Sequence, residues 1–136
     1  MITFDTEIRV WYVDTDQMGI VHHSNYVRYF ECGRTAMLKE VGLPMEEVEK
    51  AGIMMPVISV ECRYKVPALL GDTLRIVTSF DEVPKARMMI RSEIFNAKGQ
   101  LLCEGCVGIG FIDAASRRPV RCPKMLVDIF EKHINN

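Results

Sequence analysis

The sequence predicts an α+β protein in which one long helix lies against a five-stranded antiparallel sheet, with a short helix at the C-terminal end. Three observations predict it. Residues 25–41 carry apolar or small side chains at 26, 30, 33, 37 and 41, the spacing of one helical face. Residues 57–112 form strand-length alternating or apolar runs, broken by Gly71-Asp72, Pro84-Lys85-Ala86 and Asn96-Ala97-Lys98-Gly99. Pro123 then precedes a stretch with Met125, Leu126, Ile129 and Phe130 at helical spacing.

In order, residues 1–7 read as a lead-in and Glu7 to Val13 as the first strand, because Ile8, Val10 and Tyr12 alternate with Arg9 and Trp11. Asp14-Thr15-Asp16-Gln17-Met18-Gly19 is a bend of turn-favouring residues, in which Gly19 supplies positive φ. Ser24 or Asn25 is the expected N-cap of the long helix. The stripe Tyr26, Phe30, Gly33, Met37 and Val41 faces the sheet, while Arg28, Lys39 and Glu40 stay in water. Gly33 within that stripe marks a close approach to strand backbone, and Gly42 ends the helix. Pro44 opens a second short helix, Met45 to Ala51, closed by Gly52.

The β segments follow. Ile58, Val60, Cys62 and Tyr64 form the apolar face of a long strand, opposite Val57, Ser59, Glu61 and Arg63. Strands over Thr73 to Phe80, Arg87 to Asn96 and Leu101 to Ile112 continue it as an antiparallel meander. Such a sheet leaves an apolar face and an edge that a second subunit covers more readily than the short terminal helix does, so a homo-oligomer is expected.

Composition sets outer limits. A chain of 136 residues fits one domain. A net charge of −1 and a pI near 6.3 give no electrostatic case for nucleic acid or an anionic membrane surface. The first residues, MITFDTEIRV, lack a basic n-region and an apolar h-region, and no stretch approaches the ~20 apolar residues of a membrane span, so a cytoplasmic protein is expected. Five cysteines are an odd number suited to a reducing compartment. Cys103-Glu104-Gly105-Cys106 lies in a strand-like run, where residues three apart face opposite sides, so metal or redox use is not expected.

Chemistry concentrates between Trp11 and Arg34. A helix start leaves backbone N–H groups free to polarise a carbonyl that becomes an oxyanion, and two carboxylates, Asp14 and Asp16, lie just before it. Hydrolysis of an activated acyl group needs that pairing. Nothing in the local pattern selects one aspartate over the other, and both are equally turn residues or caps. His22 and His23 divide in the same way between a structural histidine and one that positions a carbonyl or moves a proton, while His133 has no constellation around it. Tyr12 is ordinary strand packing or a phenol directed into a pocket. Glu31 and Arg34, three apart, are expected to pair on the helix. Lys85 and Arg87 flank a hairpin, where they keep it soluble or receive phosphates. The nine methionines are first adaptable core filler. No GxSxG, P-loop or HExxH pattern is present.

The run Tyr12-Val13-Asp14-Thr15-Asp16-Gln17-Met18-Gly19-Ile20-Val21-His22-His23-Ser24-Asn25-Tyr26, continued by Tyr29-Phe30-Glu31 and Arg34-Thr35-Ala36-Met37-Leu38, closely resembles the signature of hotdog-fold acyl-CoA thioesterases of the 4-hydroxybenzoyl-CoA thioesterase type. Met55-Pro56-Val57-Ile58 and Gly71-Asp72 agree as well. The resemblance implies a single hotdog domain over residues 1–136, with a sheet wrapped round the long helix and no cofactor or metal. It implies that Asp16, three residues before the glycine, is the general base or nucleophile, with Tyr12 and His23 as its partners. It further implies that the His23 amide polarises the thioester carbonyl, that Ser24, Asn25 and Tyr26 line the substrate site, and that Lys85 and Arg87 lie where some relatives bind CoA. Sites at a dimer interface, often within a homotetramer, belong to the same pattern. A hotdog hydratase or dehydratase, or a non-catalytic acyl-CoA-binding subunit, would share much of it.

Overall fold

The computed structural model describes residues 2–42 and 45–135. Strand β1 spans Ile2–Arg9, earlier than the sequence suggests, and the chain then closes a 3-10 turn over Tyr12–Asp14 instead of staying extended. The reason is local. The Asp14 carboxylate accepts the Trp11 N–H, which folds the chain back just where the alternation of Val10 and Tyr12 reads as strand.

Helix α1 (Ser24–Glu40) buries Tyr26, Tyr29, Phe30, Gly33, Met37 and Leu38, the expected stripe widened by its neighbours. Its end matches expectation, with Gly42 at φ 91°. Helix α2 spans Met45–Lys50; Pro44, expected to open it, lies outside the described residues. The remaining elements are β2 (Ile53–Met54), β3 (Val57–Tyr64), β4 (Thr73–Phe80), β5 (Arg87–Phe95), β6 (Leu101–Gly110), β7 (Ile112–Asp113) and α3 (Lys124–Asn135).

The large sheet has the order β1-β4-β5-β6-β3, all antiparallel. Only β4, β5 and β6 form a meander, because β3 crosses to the far side and pairs with β6 instead of β4. Local turn signals reveal where a strand ends and not which edge it joins. The register of β3 also slips between Val57 and Ser59. Val57 pairs with Ile109 and Val60 with Val107, so Val57 and Val60 share the helix-facing side. Ile58 moves to the other side, where it approaches Gly108 and Gly110.

Helix α1 lies unusually close to the sheet. A Cβ on Gly33 would sit 2.3 Å from Thr78 Oγ1 and 2.9 Å from Ile76 Cγ2, and one on Gly105 would sit 2.9 Å from the Phe30 ring of α1. The expected close approach at Gly33 is present, but it is to the side chains of Thr78 and Ile76 and not to strand backbone. Helix α3 covers the end of the same face through Phe130, whose ring meets Phe80 edge-on at 4.5 Å, and His133 packs on Phe4. Leu126 and Phe130 are its buried residues; Met125, expected among them, is exposed. The outer face of the sheet is charged and not apolar as expected, with Arg91 bridging Glu93 and Glu104 and Arg75 bridging Asp5. Among the strands, β3 exposes the most large apolar side chains, Val57, Ile58, Val60 and Tyr64, while Trp11, Tyr12 and Val13 are exposed in the bend before α1.

Candidate active site

The bend before α1 is a closed loop. The Asp16 N–H donates to the Ile20 carbonyl (2.9 Å), the Gly19 N–H returns to the Asp16 carbonyl (3.1 Å), and Gly19 takes φ 77°. Within it the two aspartates separate. Asp14 is 3% exposed, and its carboxylate accepts from the Tyr29 hydroxyl (3.0 Å), the Arg28 guanidinium and the Trp11 N–H. Burial and that hydrogen bond raise the Tyr29 pKa. Asp14 thus clamps the bend to the first turns of α1. Asp16 is exposed; its Oδ1 accepts the Met18 N–H (2.8 Å) and the Ile20 N–H (3.4 Å), while Oδ2 accepts from none of the described residues.

The helix start is built by neither expected cap. His23 holds the N-cap position without a side-chain cap bond, and His22 Nδ1 accepts the Ser24 N–H (3.3 Å) and lies 2.8 Å from Ser24 Oγ. The His22 N–H and Asn25 Nδ2 both donate to the Asp14 carbonyl at 2.9 Å, which fixes the helix against the bend. The Asn25 and Tyr26 N–H groups turn back on the carbonyls of His22 and His23. Among the described residues the His23 N–H has no acceptor. A donor at the positive end of a 17-residue helix is therefore available to an incoming oxygen.

A cavity of about 300 Å³ opens beside it, lined by Ile20, Val21, His23, Tyr26, Tyr64, Lys65, Val66 and Pro67. Asp16 is not a wall residue, but its backbone bond to Ile20 holds it at the edge. The rings of His22 and His23 lie 4.2 Å apart. Tyr26 contributes its ring only, since its buried hydroxyl accepts the Ala68 N–H (3.0 Å). Tyr12 is 81% exposed and is not part of this cavity. Arg87 lines a separate cavity of about 380 Å³ with Arg91 and Ser79, on the sheet face away from α1, and Lys85 is not among its walls.

Sequence reasoning missed Tyr64, whose hydroxyl donates to the His23 carbonyl (3.2 Å) from β3, 41 residues away. Its only signal was a place in an apolar alternation. The Cys62 sulfur and burial push the Tyr64 pKa up to about 12, so it stays a donor at neutral pH. The expected Glu31–Arg34 pair is absent among the described residues, because Arg34 turns into the protein and is buried. The CxxC cysteines point to opposite faces as expected; Cys103 is buried, 3.3 Å from the Cys62 sulfur, and burial raises its pKa. The described residues hold no cluster of three or more metal-ligating side chains, and no described helix is long and apolar enough to cross a membrane.

The family model of the Thioesterase-like superfamily matches residues 10–130. The chain is a member of the hotdog-fold thioesterase family. YneP of Bacillus subtilis, provisionally named an acyl-CoA thioesterase, is 34% identical over 122 residues, covering 90% of this chain and 88% of its own. The acyl-CoA thioester hydrolase YbgC of Escherichia coli is 30% identical over 129 residues, covering 95% and 96%. Among solved structures, a DHNA-CoA thioesterase of Staphylococcus aureus superposes with a TM-score of 0.89 at 29% identity, covering 99% of this thioesterase and 90% of that chain. The hotdog architecture is the sheet described above, curved round α1.

Proposed function

We propose that this thioesterase hydrolyses acyl-CoA to a free carboxylic acid and CoA at the start of α1. The His23 N–H, without an acceptor among the described residues, on a cavity whose wall residue Ile20 is bonded to the exposed Asp16, carries the reading. A thioester carbonyl set against that N–H gains charge as it becomes tetrahedral, and the aligned peptide dipoles of α1 stabilise the charge. The free Oδ2 of Asp16 takes a proton from water or attacks the carbonyl carbon directly. The C–S bond then breaks and CoA leaves as a thiolate; after direct attack, water cleaves the acyl–Asp16 anhydride to release the acid and restore the carboxylate. Tyr64 and His22 hold the helix start from two sides, so the donor is preset. His23 and the exposed Tyr12 orient the substrate, Ser24, Asn25 and Tyr26 shape the helix end it meets, and Arg87 with Lys85 serves the phosphates of CoA.

Since Arg87 and Tyr12 stand apart from the cavity within one chain, the reading includes a second copy. The outer edge of β1 carries Asp5, Glu7 and Arg9 and buries Phe4, whereas β3, beside its paired Glu61 and Arg63, leaves Val57, Ile58, Val60 and Tyr64 exposed on an edge that no described strand pairs. Antiparallel pairing of two β3 strands about a two-fold axis joins the sheets and sets Val57 of one copy beside Tyr64 of the other. The test is thiol release from short, long and aromatic acyl-CoAs, with the free acid identified by mass spectrometry. Release with stoichiometric acid supports the reading; water addition to an enoyl-CoA without thiol release contradicts it.

A further inference from the structure

A further cavity, of about 140 Å³, lies between α1 and the β3 side of the sheet, walled by Leu38, Met55, Val57, Met88, Ile90 and Ile109. Its volume is close to the roughly 150 Å³ that holds a benzene-sized molecule in a protein interior. Its polar wall is Arg34, with Glu31 and Thr35 alongside. Arg34 is only 9% exposed, and its Nη1 is fully buried without a hydrogen-bond partner among the described residues. Burial lowers its pKa while Glu31 pulls the other way, yet a guanidinium keeps its charge at neutral pH. Among the described residues two other buried polar side chains are unpartnered, Thr78 and Ser92; both are neutral hydroxyls, and neither borders this cavity. Arg34 is thus a buried cation with a spare donor on an apolar hollow, where a methionine or leucine would fill the space without any desolvation cost.

We propose that this cavity is a binding subsite for a small, mostly apolar organic group carrying one uncharged acceptor oxygen, a hydroxyl or a carbonyl, which the Arg34 guanidinium on its wall holds. Charge selects the neutral group. Glu31 lines the same cavity, so a carboxylate entering it would meet a like charge on the wall, which a neutral oxygen does not. In the dimer of the proposed function, the Val57 end of this cavity adjoins the Tyr64 end of the other copy's site. There the group it holds is the distal part of the acyl chain, and that placement rests on the proposed function. Binding of a free ligand does not.

The probes are cyclopentanol and methylcyclopentane, nearly equal in shape and differing by a hydroxyl. In the wild-type protein, cyclopentanol is expected to shift the methyl resonances of Leu38, Ile90 and Ile109 and to bind at least ~10-fold more tightly than methylcyclopentane. Arg34→Met is expected to reduce that preference to under ~2-fold. Equal binding of the two probes, a preference that survives in Arg34→Met, or shifts confined to other methyls would overturn the proposal; the wild-type resonances decide it alone if the variant does not fold. A parallel assay compares acyl-CoAs with and without a distal hydroxyl. Probe binding without any thiol release would sink the proposed function and keep the subsite, while thiol release without probe binding would do the reverse.

Discussion

Asp14 and Asp16 stand two residues apart in a single bend, and the fold gives them opposite surroundings. Asp14 is enclosed by Arg28, Tyr29 and the Trp11 amide, whereas Asp16 keeps one carboxylate oxygen free of the described residues. Removing the charge of the first should therefore loosen the protein. Asp14→Asn is expected to cost about 1–3 kcal/mol, because it leaves a buried network without its anion, and a lowered melting temperature with a weakened α1 start would show it. Cys122 makes a separate prediction about pH. Burial raises its pKa from 9.0 to about 12, so below pH 9 the thiol is protonated in both folded and unfolded chains and contributes no pH dependence. Between pH 9 and about 12 the unfolded chain releases the proton first, and stability falls as pH rises. Melting curves from pH 8 upward should show a shallower alkaline decline in Cys122→Ala than in the parent; an unchanged slope would exclude the thiol.

At the scale of elements, the contact between α1 and the sheet is set by what is missing from Gly33. A methyl group there meets Thr78 Oγ1 at 2.3 Å, so Gly33→Ala must lift the helix or displace the threonine, and a loss of about 1–3 kcal/mol is expected despite alanine's better helix propensity. A neutral or stabilising result in chemical denaturation would show that the helix has room to move. The helix and its glycine were legible in the sequence because periodicity and an odd small residue are local signals. The first strand was misread because Thr6 interrupts the apolar alternation of Ile2, Phe4 and Ile8, which makes Ile8, Val10 and Tyr12 look like the better run. The place of β3 beside β6, its slipped register and the Tyr64 hydroxyl on His23 were not legible, since each is fixed by a partner about 40 residues or more away. Which aspartate stays exposed was likewise decided by the tertiary position of Arg28 and Tyr29.

At the scale of the molecule, the charged outer face and the charged β1 edge leave β3 as the exposed apolar edge among the described strands, the edge proposed to meet a second copy. Val57→Lys with Val60→Lys should yield a folded chain that sediments as a monomer and loses at least ~10-fold in thiol release. A monomeric parent, or a monomeric variant with full activity, would remove the second copy from the site. The most direct measurement on the central claim compares thiol release by the parent with that by Asp16→Asn, shown to be folded and of the same assembly. The account predicts a fall of roughly 10²–10⁴-fold in kcat, the range a positioned general base contributes, with acyl-CoA binding retained. Release undiminished by the substitution would contradict Asp16 as the centre of the reaction.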